Sequence, residues 1–370
     1  MSVIVNKLQQ WTACLAIFCL SGCGVGTMAN VDQTPAVENS QSLVIDSPGV
    51  WGGEARCSSR GCMLALVEHE LGNLVLYELG RSGARLVDKH HLAYHPDFAI
   101  WLSDTTVVAA VEIARSLEVF DVKNGKLVHK MQIPVGFAPR NVQLVSSTDG
   151  IYQMLISPYS GTEVAWVEWN SNDPNGITVK KDKWCEAPWF PFAAPKIPRS
   201  GKPGLAVACR GDGTFLSISG SALKQEPIVK KQLANFPQVP AMAAVSPTGN
   251  WLYVALETSS KNARVDAETG AVQWLDATPE GSVAVRILPD ETVIWAEDGR
   301  LKLDRYDSQG QTIESRWLKT SGFSTNIQLV DIDGDNQLDV VVLNSGGARS
   351  DVIFGPLWEN AKPFVSVPRK

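Results

Sequence analysis

Residues 120–128, FDVKNGKLV, form the stretch that decides the fold. Its centre is the Asn124-Gly125 pair, which makes the two-residue turn of a β-hairpin because both positions tolerate a positive φ. The flanking runs, Leu117–Val122 and Lys126–Met131, are rich in residues that favour strands. The sequence therefore predicts an antiparallel hairpin around Gly125.

The same strand–turn–strand pattern recurs along the chain. Turn glycines stand at Gly83, Gly125, Gly176, Gly220, Gly270 and Gly310, at steps of 42, 51, 44, 50 and 40 residues. A further hairpin near Gly346-Gly347 makes seven units. Strand-rich units of about 40–50 residues are typical of a β-propeller with four strands per blade. We therefore predict an all-β fold, a β-propeller of seven four-stranded blades. An irregular pair of β-sandwiches is the alternative.

Several units resemble the repeats of known propeller families. Ser246–Val254, SPTGNWLYV, is similar to the "SPDG…LYV" strand pair of YVTN-type propellers. Residues 120–128 and 265–274 resemble the outer hairpins of YVTN and PQQ-like repeats. A propeller must also join its first and last sheets, and we expect Phe364–Val367 to pair near Leu43–Ile45 or in the 50s.

Residues 331–343, DIDGDNQLDVVVL, carry acids at alternate positions of a short turn followed by an apolar strand. Calcium prefers six to eight oxygen ligands, and alternate side chains of a tight turn converge on one point. Gly334 permits the sharp bend. We predict a calcium site whose ligands are Asp331, Asp333, Asp335, the backbone carbonyl of Gln337, and Asp339. The loop is not an EF-hand, because Asn336 and Val342 occupy that motif's glycine and glutamate positions.

This stretch resembles the FG-GAP and VCBS-type repeats of integrin-like propellers. Their pattern D-x-D-G-D-x-x-x-D is matched at Asp331, Asp333, Gly334, Asp335 and Asp339, in one copy of about 20 residues. The resemblance implies a bound calcium ion that pins a blade loop. The alternative is a polar turn whose acids are solvated.

The N-terminus indicates an exported and lipid-anchored protein. Trp11–Leu20 is apolar but too short to span a bilayer, as in a signal peptide. Residues 20–23, LSGC, resemble the lipobox of bacterial lipoproteins, which implies cleavage behind Gly22 and lipidation of Cys23. Because residue 24 is glycine, the usual sorting logic of that family implies the outer membrane. We predict a signal peptide at 1–22, a lipidated N-terminus and flexible tether at 23–48, and a propeller domain at 49–370.

Four further cysteines remain after removal of such a signal peptide. An even number in an exported protein suggests disulfides. Cys57 and Cys62 enclose a short turn, so we predict that they pair, which leaves Cys185 to pair with Cys209. Four buried free thiols are the alternative.

Composition excludes some classes of partner. The formal charge is −6, and no basic run is present. Nucleic-acid binding rests on clustered Lys and Arg, so no nucleic-acid partner is expected. We expect a monomeric domain that contacts the membrane through its lipid and binds a protein or a glycan.

Two clusters are candidate sites. The loop from Trp184 to Pro195 is rich in aromatics, so its surface (Trp184, Trp189, Phe190 and Phe192) is a candidate for binding. Packing over a blade edge is the alternative for these side chains. His90, His91 and His95 would need a further ligand to hold a metal. Asp97 is nearest, and we favour solvated or hydrogen-bonded histidines instead.

The sequence thus predicts a membrane-anchored, calcium-binding propeller lipoprotein that acts as a binding or scaffold module in the bacterial envelope. No nucleophile elbow, P-loop or dinucleotide fingerprint is present. The alternative is a propeller enzyme, a lyase, a lactonase-like hydrolase or a quinoprotein-like protein, with its site at the central channel. Acids and histidines that converge from three or more blades would favour the enzyme. An aromatic rim would favour binding.

Overall fold

The computed structural model describes residues 42–363, except 174, 195–203, 225, 276–280 and 346. The predicted signal peptide, Cys23 and most of the predicted tether lie outside the described residues. Within them the chain is built of β-strands and one short helix, Leu357–Asn360. No helix in this part of the chain is long and apolar enough to cross a membrane.

Five antiparallel four-stranded sheets follow one another along the chain. The first contains β2 (Val50–Ser58), β3 (Gly61–Glu68), β4 (Asn73–Gly80) and β5 (Gly83–His91). The second contains β6 (Pro96–Ser103), β7 (Thr106–Val111), β8 (Ser116–Lys123) and β9 (Lys126–Pro134). The third contains β10 (Pro139–Thr148), β11 (Ile151–Pro158), β12 (Glu163–Asn170) and β13 (Ile177–Lys183). The fourth contains β14 (Pro188–Ala194), β15 (Gly204–Cys209), β16 (Thr214–Ser219) and β17 (Val229–Asn235). The fifth contains β18 (Pro240–Val245), β19 (Trp251–Leu256), β20 (Ala263–Asp266) and β21 (Val272–Trp274).

A seven-stranded sheet, which we call the closing sheet, completes the fold. It contains β1 (Ser42–Asp46), β22 (Val285–Ile287), β23 (Val293–Tyr306), β24 (Thr312–Val330), β25 (Asp339–Asn344), β26 (Arg349–Ile353) and β27 (Lys362–Pro363). The first part of the 19-residue strand β24 pairs with β23 and β27, and its last part pairs with β25. One strand thus belongs to two successive layers.

Five of the six predicted turns join the third and fourth strands of a four-stranded sheet, and the sixth, at Gly310, joins β23 to β24 of the closing sheet. Lys123 pairs with Lys126 across the Asn124-Gly125 turn, where φ is +52° and +75°. Positive φ at both central positions gives a turn whose twist matches the flanking strands. The hairpin prediction around Gly125 is confirmed, as is the all-β fold of four-stranded units.

The core lies between the sheets rather than within one layer. Each apolar cluster joins neighbouring sheets: Leu76 of the first packs with Trp101 of the second, and both are buried. The last such cluster joins Val341 of the closing sheet to Leu64 of the first. Because each sheet is covered on both faces, its strands read as nearly continuous apolar runs.

The ring is closed by β1, and this corrects the predicted end of the tether. Residues 42–46, which we assigned to the tether, form a strand in which Leu43 pairs with Val352 of β26. The physical reason is that Ile45 becomes almost fully buried against the first sheet. Leu43–Ile45 therefore pairs with β26, and Phe364–Val367 lies outside the described residues.

The predicted hairpin near Gly347 is also placed differently from the other six. It joins β25 to β26, the second and third strands of its layer, and β1 supplies the fourth strand. The outer strand of the last unit thus comes from the other end of the chain, so no outer hairpin could appear there in the sequence.

Candidate functional site

A central cavity is enclosed by the first strands of the successive sheets, which contact one another in a ring. At one end it is lined by residues at the start of these strands or just after the second strands. We call this end the mouth and define it by Trp51, Asp97, Arg140, Trp189, Arg210 and Glu257. Antiparallel pairing explains the grouping, because the second strand returns the chain to the end where the first strand began.

Arg140 is the centre of the mouth. It is buried, and its guanidinium carbon lies 4.3 Å from the Trp51 ring centre and 4.7 Å from the rings of Tyr159 and Trp189. Burial lowers the pKa of Arg140, and the charge of Asp97 opposes that shift. A cation held against aromatic faces in a desolvated site is stabilised by the ring quadrupoles.

A second arginine continues the stack. Arg210 lies 4.4 Å from the ring of Trp189 and forms an ion pair with Glu257. Trp51, Arg140, Trp189 and Arg210 therefore form one layer, which we call the mouth stack. The two tryptophans are only partly buried, so part of this layer faces the cavity and solvent.

Asp97 is a nearly buried carboxylate on the wall of the mouth. It lies 3.5 Å from Arg140 Nη1 and 3.3 Å from His69 Nδ1. No group in the described part of the chain donates a closer hydrogen bond to either oxygen. A buried acid with only long ionic contacts retains capacity to accept a hydrogen bond from a ligand.

Beside the mouth, His69, His95 and Glu112 come together. Their potential ligand atoms all lie within 4.8 Å of one another. His69 Nε2 is 2.8 Å from His95 Nδ1, and His69 Nδ1 is 3.2 Å from the carbonyl oxygen of Pro96. His95 has a φ of +59°, in the left-handed region that non-glycine residues rarely adopt.

The charges around this cluster shift two pKa values. Burial alone would lower the pKa of His69, but its interaction with the nearby Asp97 carboxylate outweighs burial and raises it. Burial, with the charge of Asp97, raises the pKa of Glu112. The cluster thus favours a positive charge among its groups.

Of this cluster only His95 stands among the candidate metal ligands of the sequence analysis, which favours solvated or hydrogen-bonded histidines instead. His95 and Asp97 were named, but His90 packs against the Phe120 ring and His91 contacts Asn73. His69 and Glu112 were missed.

The regular spacing of the residues that follow the second strands could have identified His69 and Glu112 from the sequence. The residue directly after the second strand of each of the five sheets is, in order, His69, Glu112, Tyr159, Arg210 and Glu257. Their spacings of 43, 47, 51 and 47 residues match the repeat of the turn glycines.

The predicted aromatic surface divides into two pairs. Trp189 and Phe190 line the central cavity. Trp184 is buried and donates a hydrogen bond from Nε1 to Asp182, while Phe192 packs against Phe215. The prediction of an exposed surface is wrong for Trp184, because this side chain fills the space between the third and fourth sheets.

Both predicted disulfides are present. Cys57 pairs with Cys62 across the β2–β3 hairpin, and Cys185 pairs with Cys209. The second bridge ties the segment before β14 to the end of β15. It therefore holds the chain between Trp184 and Trp189 next to the mouth residue Arg210.

The cavity continues beyond the mouth, and Phe98 and Phe190 line both parts. The rings of Phe98 and Phe190 meet edge to face, 5.3 Å apart. Glu54 and Arg286 line the part below them. Burial raises the pKa of Glu54 and lowers the pKa of Arg286 to about 10. The inner part is thus lined by charged and polar groups, next to the Phe98–Phe190 pair.

The acidic loop lies at the opposite end, between β24 and β25. Asp331, Asp333 and Asp339 place carboxylate oxygens within 4.8 Å of one another. Asp335 and Gln337 are exposed and lie outside this group of three. Gly334 has a φ of +77°, so the bend predicted at this glycine is present.

Each acid of the loop also has a structural partner. Asp339 accepts hydrogen bonds of 2.8 Å from the backbone N–H groups of Ile332 and Gly355. Burial is the main cause of its raised pKa. Arg81 Nε lies 2.9 Å from an oxygen of Asp333. The three carboxylates fit a hard cation, and Arg81 already offsets part of their charge.

Comparisons with known proteins support the fold alone. No family model matches the sequence, and no curated protein matches it either. Yeast (Saccharomyces cerevisiae) Sqt1 is similar with a TM-score of 0.62 at 9% identity, over 85% of this chain and 99% of that one. BBS1N, solved in complex with ARL6DN, has a TM-score of 0.59 at 12% identity, over 86% and 97% of the two chains.

A third similar structure is an enzyme. A catalytically inactive variant of virginiamycin B lyase from Staphylococcus aureus, solved with quinupristin, has a TM-score of 0.58 at 10% identity, over 85% and 100% of the two chains. These neighbours are propeller-like proteins. At such identities they show the fold and not the chemistry. The chain is therefore an all-β protein with the β-propeller fold.

Proposed function

We propose that this protein is a binding module of the bacterial cell envelope that holds a protein partner at its mouth. The mouth stack carries the proposal. Tryptophan and arginine are the residue types most enriched at interface hot spots. Here they form one partly exposed layer with fixed geometry, because each arginine also has an acidic partner.

The mouth combines apolar and charged groups, as a binding site for a protein segment requires. Trp51 and Trp189 offer apolar faces next to the carboxylates of Asp97 and Glu257. Such a site fixes an inserted side chain by packing and by hydrogen bonds together. One structural neighbour, BBS1N, was solved with a protein partner, which is consistent with this use of the fold.

The calcium ion belongs to the opposite end in this proposal. Ser42 pairs with Ile353, and the backbone N–H of nearby Gly355 contacts Asp339 of the acidic loop. The described chain therefore enters the propeller at Ser42, at the end away from the mouth. In this proposal Cys23 carries the lipid. Calcium on Asp331, Asp333 and Asp339 would pin that end, with Asp335 and Gln337 as further ligands. The outer membrane remains the proposed location.

We also infer seven blades. The division of β24 between two sets of partners separates the closing sheet into two layers. One is built around β22 and β23, and the other from the end of β24 with β25, β26 and β1. Together with the five separate sheets this gives seven.

A peptide-display experiment tests binding at the mouth. A library of linear peptides on phage is selected on the full-length protein, and the dissociation constants of enriched peptides are measured. Trp189→Ala should weaken binding about 30-fold, since a hot-spot truncation costs about 2 kcal/mol or more. Trp274→Ala is the matched control, because this tryptophan is 39% exposed on the outer strand β21.

The proposal fails if the selected peptides bind Trp189→Ala as tightly as the wild type, or if Trp274→Ala weakens them equally. A library that yields no enriched peptide, with the mouth intact by circular dichroism and melting, also counts against a protein partner.

A metal-dependent or acid–base enzyme is the second candidate. It is favoured by titratable groups from several sheets that lie in the mouth (Asp97, Arg210 and Glu257) or beside it (His69 and Glu112). A screen of model lactones and aryl esters tests it. An activity abolished by both Asp97→Asn and Glu112→Gln supports the enzyme, and an activity that both variants retain lies elsewhere.

A further inference from the structure

We propose that His69, His95 and Glu112 form a binding site for a divalent first-row transition metal, with zinc as the type ion. The site belongs to the loops after the second strands of the first two sheets and to the segment before β6. It is separate from the acidic loop at the other end. It also stands independently of the proposed binding function.

The donor set is the first argument. Two imidazole nitrogens and one carboxylate are a ligand set for zinc and related ions, not for calcium, which prefers oxygen. All three donor atoms lie within 4.8 Å of one another. Within the described part of the chain no group donates a hydrogen bond to the Glu112 side chain, so this carboxylate is available as a ligand.

The outer contacts of His69 are the second argument. A metal-bound histidine almost always donates its other ring N–H to a carbonyl or carboxylate, which fixes the tautomer. His69 Nδ1 lies 3.2 Å from the Pro96 carbonyl oxygen and 3.3 Å from Asp97 Oδ1. With the proton on Nδ1, the Nε2 lone pair points towards His95, where the metal would lie.

The facing nitrogens are the third argument. His69 Nε2 and His95 Nδ1 stand 2.8 Å apart, so without a metal a proton must lie between them. Zinc–nitrogen bonds of about 2.0–2.1 Å at a tetrahedral angle place two nitrogens about 3.3 Å apart. A separation of about half an ångström more would admit the ion, and His95 lies on a loop between β5 and β6 that can supply it.

The position next to the mouth gives the site a role. The ring of Trp51 is centred 5.2 Å from the ring of His69, and Asp97 contacts both His69 and Arg140. A metal here would cross-link two blades and fix the orientation of the acid and the arginine in the mouth. We expect metal occupancy to order the mouth even where no reaction takes place.

Zinc binding to the untagged full-length protein tests the proposal. The titration is run by calorimetry with excess calcium present, so that the acidic loop is blocked. The wild type should bind one equivalent. His69→Ala, His95→Ala and Glu112→Gln should each weaken this binding, about 100-fold or more for the two histidines. Cobalt, used as a spectroscopic probe, should give absorption bands of a tetrahedral nitrogen–oxygen site that these variants lose.

Matched controls come from the histidines outside the cluster. His91→Ala and His129→Ala remove exposed imidazoles and should leave zinc affinity within about twofold of the wild type. Asp97→Asn keeps every proposed ligand and should cost about 10–100-fold, the typical effect of an outer-sphere partner. Each variant's melting temperature without metal shows that it is folded.

The proposal is overturned if the folded wild type binds no zinc under these conditions. It is also overturned if zinc binding survives in both His69→Ala and His95→Ala, or if His91→Ala or His129→Ala abolishes it. In the last case the ion sits on surface histidines of the β5–β9 face.

Discussion

At the scale of single residues, position within the repeat decides which side chains come together at the mouth and beside it. His69, Glu112, Tyr159, Arg210 and Glu257 occupy one equivalent position in five sheets, directly after the second strand. Side chains that are about 47 residues apart in the chain thus meet at one end of the cavity. Their types differ, so no motif marks them, and only the repeat register brings them together.

A turn in the fifth sheet yields a pH prediction. The pKa of Asp266 is lowered, chiefly by the backbone N–H of Thr269, which donates to Asp266 Oδ1 at 2.7 Å. Its carboxylate therefore contributes stability above the unfolded value of about 3.9, and the contribution is lost as pH falls through the lower folded value. At neutral pH we expect Asp266→Ala to cost about 1 kcal/mol, as for the loss of a capping acid.

Urea unfolding at pH 7, 5, 4 and 3 measures this effect. The difference in unfolding free energy between wild type and Asp266→Ala should be constant at pH 7 and 5 and shrink below pH 4. Asp266→Asn, which keeps a carbonyl acceptor without the charge, should show a smaller and pH-independent cost relative to Ala. A difference that grows towards pH 3 would contradict this account.

At the scale of elements, the acidic loop shows what a local pattern can and cannot predict. The bend at Gly334 and the convergence of Asp331, Asp333 and Asp339 follow from alternation within the turn. The approach of Arg81 could not be predicted, because it comes from the β4–β5 turn about 250 residues earlier. The local spacing therefore predicts which carboxylates converge, whereas the positive charge of Arg81 beside them depends on packing between distant parts of the chain.

Calcium and Arg81 would compete for Asp333, and this gives a second prediction. With calcium, the wild type should melt several degrees higher than in excess chelator, as for any ligand that binds only the native state. Asp333→Ala should abolish most of the difference. In chelator this variant should lose only the ion pair with the exposed Arg81, which is worth about 1 kcal/mol or less.

Thermal scans of both proteins in calcium and in chelator supply the measurement. Asp335→Asn is a control with a smaller expected effect. This exposed acid lies outside the group of three, so its substitution should weaken calcium binding only modestly. Equal melting temperatures in all four conditions would contradict a calcium site, provided that metal analysis shows the ion was removed from the chelated sample.

At the scale of the whole molecule, the turn spacing predicted the repeated sheets but not how the ring closes. Each outer hairpin is local in sequence, so its glycine marks it. Closure joins β1 to β26, about 300 residues apart, and β1 carries no turn signal of its own. A short strand near the end of a polar segment reads as part of the tether until its partner is known.

Closure predicts that a change in β1 destabilises the entire domain. Ile45 is 2% exposed and Val44, on the opposite face of the same strand, is 45% exposed. Ile45→Ala should cost about 2–4 kcal/mol, as for truncation of a buried aliphatic side chain, and Val44→Ala less than about 0.5 kcal/mol. Denaturant unfolding followed by tryptophan fluorescence measures both. Similar losses for the two variants, or a negligible loss for Ile45→Ala, would contradict closure by this strand.

The claim that the mouth is the binding end is tested most directly by photo-crosslinking in the native cell. A benzophenone amino acid replaces Tyr159, 49% exposed beside Arg140, or Ile313, 68% exposed on β24. We predict a discrete protein adduct from position 159 that is lost when Trp189→Ala is added, and none from position 313. Adducts from position 313 alone, or an adduct at 159 that survives Trp189→Ala, would contradict the mouth as the binding site.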